Sequence, residues 1–308
     1  MFATYVKNNL KEPVFLAIRE EKRSMEIPLH IKKAINHYKP IEIDSLTFYP
    51  ITVDEYEAFL IAKAGIEIMQ QALPIHLVSM PLLSALYKLD FEKSIEEGKA
   101  TGIFSQCLLF LALALRLGYG EDLDERLRRF QIAVDTKDAS RLKSVIFKDE
   151  KTGLHGEITP IQFARYRPIL AAQNGIKLAD DDVNPELVKA DKEIQAINAP
   201  KLEASLEDLI SSVAALSGVD EETVFDWPIL KMERRRAAIS RAVDYVVCGV
   251  IAGSGATWKG GNPVPSLWFN RVQTGLGALR EMGEKDKGAA AQGAQAADPT
   301  KIEIENKE

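Results

Sequence analysis

The sequence predicts a mainly α-helical protein: a multi-helix, bundle-like body with a small inserted β element and a disordered C-terminal tail. Three observations lead there. Long segments carry apolar residues at helical spacing, as in Leu206, Leu209, Ile210, Val213 and Leu216. Helix boundaries carry capping residues, such as Thr159-Pro160-Ile161-Gln162 at a start and Gly118, Gly175 and Gly218 at stops. Short β-branched and aromatic runs are confined mostly to residues 130–158.

In chain order, Pro13–Ile18 and Ile41–Phe48 read as short strands with a helix between Pro28 and Tyr38. Thr52 and Glu55 have capping-box spacing and predict a helix from Val53 to Gln71, with Tyr56, Phe59, Leu60 and Lys63 on it as a docking element. Pro74 interrupts the pattern. Ser79 with Pro81 predicts a helix to Leu89, and a longer one follows from Ser94 to Leu117, capped by Gly118, with Gly98 and Gly102 weakening its first half and pointing to a later start. Phe130–Asp135, Leu142–Phe147 and Leu154–Ile158 predict a small sheet, with Asp149–Gly153 as a turn. The helix begun by Thr159 contains Pro168, which predicts a kink or split, and ends near Asn174-Gly175.

The acidic run Asp180-Asp181-Asp182 and Asn184-Pro185 precede an exposed helix to Ile197, stopped by Pro200. Ser205 opens the next helix, Asp220 a short one over Glu221–Phe225, and Asp226 with Pro228 the longest, to Ala252. Residues 242–252 of that last helix are apolar nearly all round, which predicts burial. The expected organisation is a mixed N-terminal domain over 1–178, a linker over 179–204, a helical region with a Gly/Pro-rich anchor segment over 205–282, and a tail over 283–308. The tail is rich in Ala, Gly, Gln and charge and has no aromatic residue, so it cannot bury enough apolar surface to offset the entropy of ordering.

Composition bounds the function. The 308 residues are 46% hydrophobic, enough for a sizeable core. A net charge of -6 argues against a dedicated nucleic-acid binder, which needs concentrated positive charge. The apolar run Cys107–Leu115 falls short of the roughly 20 residues that span a bilayer, so it predicts a buried helix and no membrane partner. The first residues contain no basic stretch followed by an apolar one, so a cytoplasmic location is expected.

No constellation of catalytic residues is recognisable. Gly249–Gly261 is glycine-rich but lacks the phosphate-loop lysine and the dinucleotide fingerprint. His30, His37, His76 and His155 are too scattered to chelate an ion, Cys107 and Cys248 sit in apolar runs, and the triple aspartate lacks calcium-loop spacing. No metal or cofactor is therefore expected, and no enzymatic activity; a site assembled from distant residues such as Asp54, Arg165, Arg167 and His155 is the enzymatic alternative. What stands out is suited to holding protein. Arg234 and Arg241 share a helix face, Trp258 and Lys259 lie in the glycine-rich segment, and Leu267, Trp268 and Phe269 end a Pro-bounded extended stretch. Aromatic anchors of this kind lose little entropy on docking.

Phe48-Tyr-Pro-Ile-Thr-Val-Asp-Glu-Tyr-Glu-Ala-Phe-Leu60, followed by Met80-Pro-Leu-Leu-Ser-Ala-Leu86, resembles the tail assembly chaperones or accessory tail proteins of phages and prophages of Gram-positive bacteria. The similarity covers about residues 45 to 118. The resemblance implies a non-catalytic factor in the host-cell cytoplasm that binds tail-tube or tape-measure polypeptide, and transfers no functional residues. The expected function is thus protein interaction without nucleic acid or membrane. A subunit of the particle that binds identical copies, and so a homo-oligomer, is the other alternative.

Overall fold

The computed structural model describes residues 27–178 and 205–254, together with 186, 189, 190, 193 and 194; the side chains of 251 and 252 are excepted. Pro13–Ile18, most of 179–204, and the segment bearing Trp258, Lys259, Leu267, Trp268 and Phe269 lie outside the described residues. Those described are mainly helical, with two small antiparallel sheets. The chain divides into two compact units. One contains residues up to 185 together with Phe225–Lys231; the other contains 186–224 and the residues from Met232 on.

In the first unit, helix α1 (Leu29–Asn36) buries Ile31 and Ile35, one helical turn apart, in a small cluster with Ile41, Ile169 and Leu230. Ile41–Phe48, expected as one strand, is a hairpin of β1 (Ile41–Ile43) and β2 (Leu46–Phe48). Asp44 and Ser45 at its tip have φ of 50° and 65°, the left-handed pair that a two-residue turn between antiparallel strands requires.

The expected helix from Val53 to Gln71 is shorter and composite. A 3-10 turn over Val53–Glu55 leads into α2 (Tyr56–Glu67), and a second such turn covers Gln70–Ala72. The next two helices also divide differently from expectation. Helix α3 runs unbroken over Leu82–Glu97, and the break falls at Gly98 and Gly102, both at positive φ, before α4 (Ile103–Leu115). Asp90 of α3 closes the start of α4, accepting from Phe104 N at 3.1 Å and from the Thr101 hydroxyl.

Helix α4 lies at the centre of the main core, and every residue from Cys107 to Leu115 is buried. It lies against α2 at Gly65, where a side chain of any size would meet the Cys107 backbone. No helix among the described residues is long and apolar enough to cross a membrane. Short helix α5 (Leu123–Leu127) leads to the expected sheet, β3 (Phe130–Val134), β4 (Leu142–Lys148) and β5 (His155–Ile158), in that order. Leu142, Val145, Phe147 and Ile158 face the core, while Ile132 and Ile146 lie on the exposed side.

Helix α6 (Pro160–Gln173) opens with the expected capping box of Thr159 and Gln162. Pro168 does not split it. The helix continues because Tyr166, Ile169 and Leu170 are buried around the proline, and their packing offsets the lost backbone hydrogen bond. Asn174 ends it and Gly175 follows at φ +74°, as expected.

In the second unit, α7 (Leu206–Ser217) is capped by a box of Ser205 and Asp208 and closed by Gly218 in the left-handed region. Ile210, Val213 and Ala214 are buried, but Leu216, expected on the same face, is exposed. Helix α8 (Glu221–Phe225) leads to α9 (Ile229–Ser254), whose first turn belongs to the first unit. In the apolar second half of α9, expected to be buried, Val243, Tyr245, Val246, Val247 and Val250 are exposed, while Ala242 and Cys248 are half-buried.

Candidate interaction surfaces

The Phe48–Leu60 segment, expected to be a docking element, docks onto its own chain. Phe48, Ile51, Val53 and Phe59 are buried in the core. Its backbone is claimed by distant elements. The Phe48 carbonyl accepts from Gln173 Nε2 at 3.1 Å, Tyr49 N donates to the Ala114 carbonyl at 2.7 Å, and Ile51 N donates to Asn174 Oδ1 at 2.9 Å. A short antiparallel bridge joins Thr52 to Pro228. There Ile229 N donates to the Ile51 carbonyl and Val53 N to the Trp227 carbonyl, both at 2.9 Å. The segment is therefore a structural hub; Asp54, Glu57 and Leu60 are exposed, Leu60 at 51%, and Tyr49 is half-buried.

The expected capping box of Thr52 and Glu55 is absent. Glu55 is buried and accepts from Arg126 Nη1 at 2.6 Å, and Arg126 Nε also donates to the Glu121 carbonyl. Burial pushes the Glu55 carboxyl above its ordinary range, against the opposing pull of Arg126. Beside it, Arg129 joins Glu121 and Asp149, and Lys151 also reaches Glu121. Hydrogen bonds from Arg129 and Lys151 hold Glu121 down to about 2. These networks pair nearly every charge with another and read as architecture.

One cation on this side differs. Arg116, at the end of α4, has φ +56° in the position where helices most often place glycine. Its guanidinium lies 4.6 Å from the centre of the Tyr49 ring and 5.9 Å from that of Tyr119. The Tyr119 hydroxyl donates to Asp54 Oδ2 at 3.3 Å. Tyr49 stands in the Phe48–Leu60 motif, but the sequence offers none of Arg116, Tyr49 and Tyr119 as a contact. Tyr119 is a lone aromatic between two glycines, Tyr49 lies between Phe48 and Pro50, and nothing in an arginine code announces a left-handed backbone.

The second exposed feature is on α9. Val243, Val246, Val247 and Val250 are exposed at 49%, 59%, 48% and 66%, and their spacing of i, i+3, i+4 and i+7 aligns them along one stripe. Arg234 and Arg241, the expected basic face, lie on the same helix, Arg234 exposed and Arg241 half-buried, and both make contacts of their own. Arg236 pairs with Glu233 at 2.6 Å.

The groups weighed for catalysis are engaged elsewhere. Arg165 pairs with Asp44, Arg167 donates to the Ile66 and Ile68 carbonyls at the end of α2, and His155 contacts the Gly153 carbonyl. Burial pushes the Cys107 thiol up to about 12, which removes the thiolate a nucleophile needs. Among the described residues no group of three or more His, Cys, Asp or Glu side chains could hold a metal ion. No family model, no curated protein and no solved structure matches this chain.

Proposed function

We propose that this chain is a non-catalytic protein-interaction factor of the cytoplasm, with a bundle-like helical body, that assists phage-type tail assembly by binding tail-tube or tape-measure polypeptide. The observation that carries the interaction role is the valine stripe of α9. Aligned exposed branched aliphatic side chains are uncommon on a surface that meets only water, and they suit the apolar face of a partner helix. The tail-assembly role is supported by the resemblance of Phe48–Leu60 to the tail chaperones.

The test is co-expression with tail-tube and tape-measure polypeptides and affinity capture of the complex. The full chain retains one of them. Val246→Glu with Val250→Glu loses it while keeping the helical circular dichroism signal, because both side chains are already exposed. Equal capture by parent and variant, or none by the parent, would count decisively against the proposal.

A further inference from the structure

We propose that Arg116, with the rings of Tyr49 and Tyr119 close to its guanidinium, is a docking point for a single carboxylate of a protein partner. This rests on the interaction role proposed above and assigns it a second contact, on the first unit.

Arg116 is exposed and its guanidinium carbon lies over the Tyr49 ring and, at greater distance, over the Tyr119 ring. Stacking occupies the faces of a guanidinium and leaves its edge, where the N–H donors are. Among the described residues that edge has no hydrogen-bond or ion-pair partner. The carboxylates of Asp54, Glu55 and Glu121 have other donors: the Tyr119 hydroxyl, Arg126, and Arg129 with Lys151, and Arg116 acts on Glu55 only through its charge. Arg116 is thus a cation that makes no hydrogen bond or ion pair of its own among the described residues, next to carboxylates that already have donors.

The backbone gives a second, independent sign. The Leu117 N–H reaches back to the Ala112 carbonyl at 2.9 Å, closing the helix around Arg116 in the left-handed region. Glycine adopts that conformation freely, whereas a side chain there is strained. Such strain persists where something else requires it, and binding sites are where it collects. Tyr and Arg are also, with Trp, among the residues enriched at the energetic centres of protein interfaces.

The charge pattern selects the ligand. A planar carboxylate can take a bidentate hydrogen-bonded pair from one guanidinium edge. An extended polyanion such as a nucleic acid would bring several charges against Asp54, Glu55 and Glu121, with one free cation to meet them.

The probe is a fluorescein-labelled glycine-rich peptide carrying a single glutamate, with its glutamine counterpart as control, titrated into the full chain. The glutamate peptide binds and the glutamine peptide does not. Arg116→Gly weakens binding by roughly tenfold or more, while its melting temperature rises because glycine relieves the backbone. A merely structural arginine would show no loss of peptide. Arg116→Lys also binds more weakly, since an ammonium cannot make the fork. The Val246→Glu, Val250→Glu variant binds the peptide like the parent, so failure here leaves the stripe standing, and the reverse. The inference is overturned by equal binding of both peptides, by unchanged binding in Arg116→Gly, by preference for a single-stranded oligonucleotide, or by no binding to the parent at millimolar peptide.

Discussion

Glu55 Oε1 and Arg126 Nη1 meet at 2.6 Å with side chains only 6% and 5% exposed, joining the 3-10 turn that follows β2 to helix α5 across 71 positions of sequence. The pair shows why the charged cluster belongs to the architecture. Two buried charges are tolerated together, but either alone is not. Arg126→Met leaves Glu55 uncompensated and is expected to cost about 3 kcal/mol or more. Replacing both with apolar residues costs less than either single change. Chemical denaturation of the two single variants and the double variant measures this coupling.

The same glutamate sets one limb of the pH dependence. Burial raises its carboxyl above the ordinary 4.5, so the folded chain keeps a proton that the unfolded chain releases. Its contribution to stability is full below pH 4.5 and is lost as pH rises through the raised folded value. Glu55→Gln removes that titration. Stability measured in steps from pH 4 upward should lose this falling component in the variant.

Glu121 titrates with the opposite sign. Hydrogen bonds from Arg129 and Lys151 hold it at about 2, below its ordinary 4.5. Its contribution is present above pH 4.5 and is lost as pH falls toward about 2. Glu121→Gln should therefore flatten part of the acid limb in that window and leave the region above pH 5 with no new slope. An unchanged acid limb would mean that the network does not hold in solution.

Two sites share the Thr-x-x-Glu/Gln pattern, and only one is a capping box. At Thr159 the hydroxyl and the Gln162 side chain satisfy backbone donors reciprocally. At Thr52 the hydroxyl is buried with no hydrogen-bond partner among the described residues, because Glu55 has turned to Arg126 and Thr52 lies in the bridge to Pro228. Thr159→Ala should cost about 1 kcal/mol. Thr52→Val should be neutral or stabilising by up to about 1 kcal/mol, since it removes an unsatisfied polar atom. Thermal or chemical unfolding distinguishes the two.

That contrast marks what was readable from sequence and what was not. Local signals held where the competing forces were also local: the three-stranded sheet, the Thr159 start, the Gly175 and Gly218 stops. They failed where a distant residue intervened. Arg126 lies 71 positions from Glu55, and no local pattern joins them. Continuous apolarity has no preferred face, so it was right for α4 and wrong for the end of α9. Of the candidate contacts, the helix bearing Arg234 and Arg241 was legible, but the adjoining valines were read as core. The Arg116 site was not legible, because it is made by a backbone conformation and by rings 67 and 3 positions away from the arginine.

Gly65 tests the packing on which the core depends. A Cβ at this position would lie 2.3 Å from Cys107 N and 2.7 Å from Cys107 Cα, both rigid backbone atoms of α4. No rotamer relieves such a clash, so α2 and α4 must separate. Gly65→Ala should destabilise by about 3 kcal/mol, at the upper end of overpacking changes. The Cys107 thiol reports on the same contact, since burial keeps it protonated, at about 12, and inaccessible. In the parent chain, iodoacetamide at pH 8 should modify the partly exposed Cys248 readily and Cys107 only on unfolding. In Gly65→Ala, Cys107 should become reactive under native conditions, because the opening that admits the methyl also admits solvent. Mass spectrometry of the labelled peptides reads both sites at once. Continued protection of Cys107 in the variant, with parental stability, would show that α2 and α4 do not approach each other at this glycine.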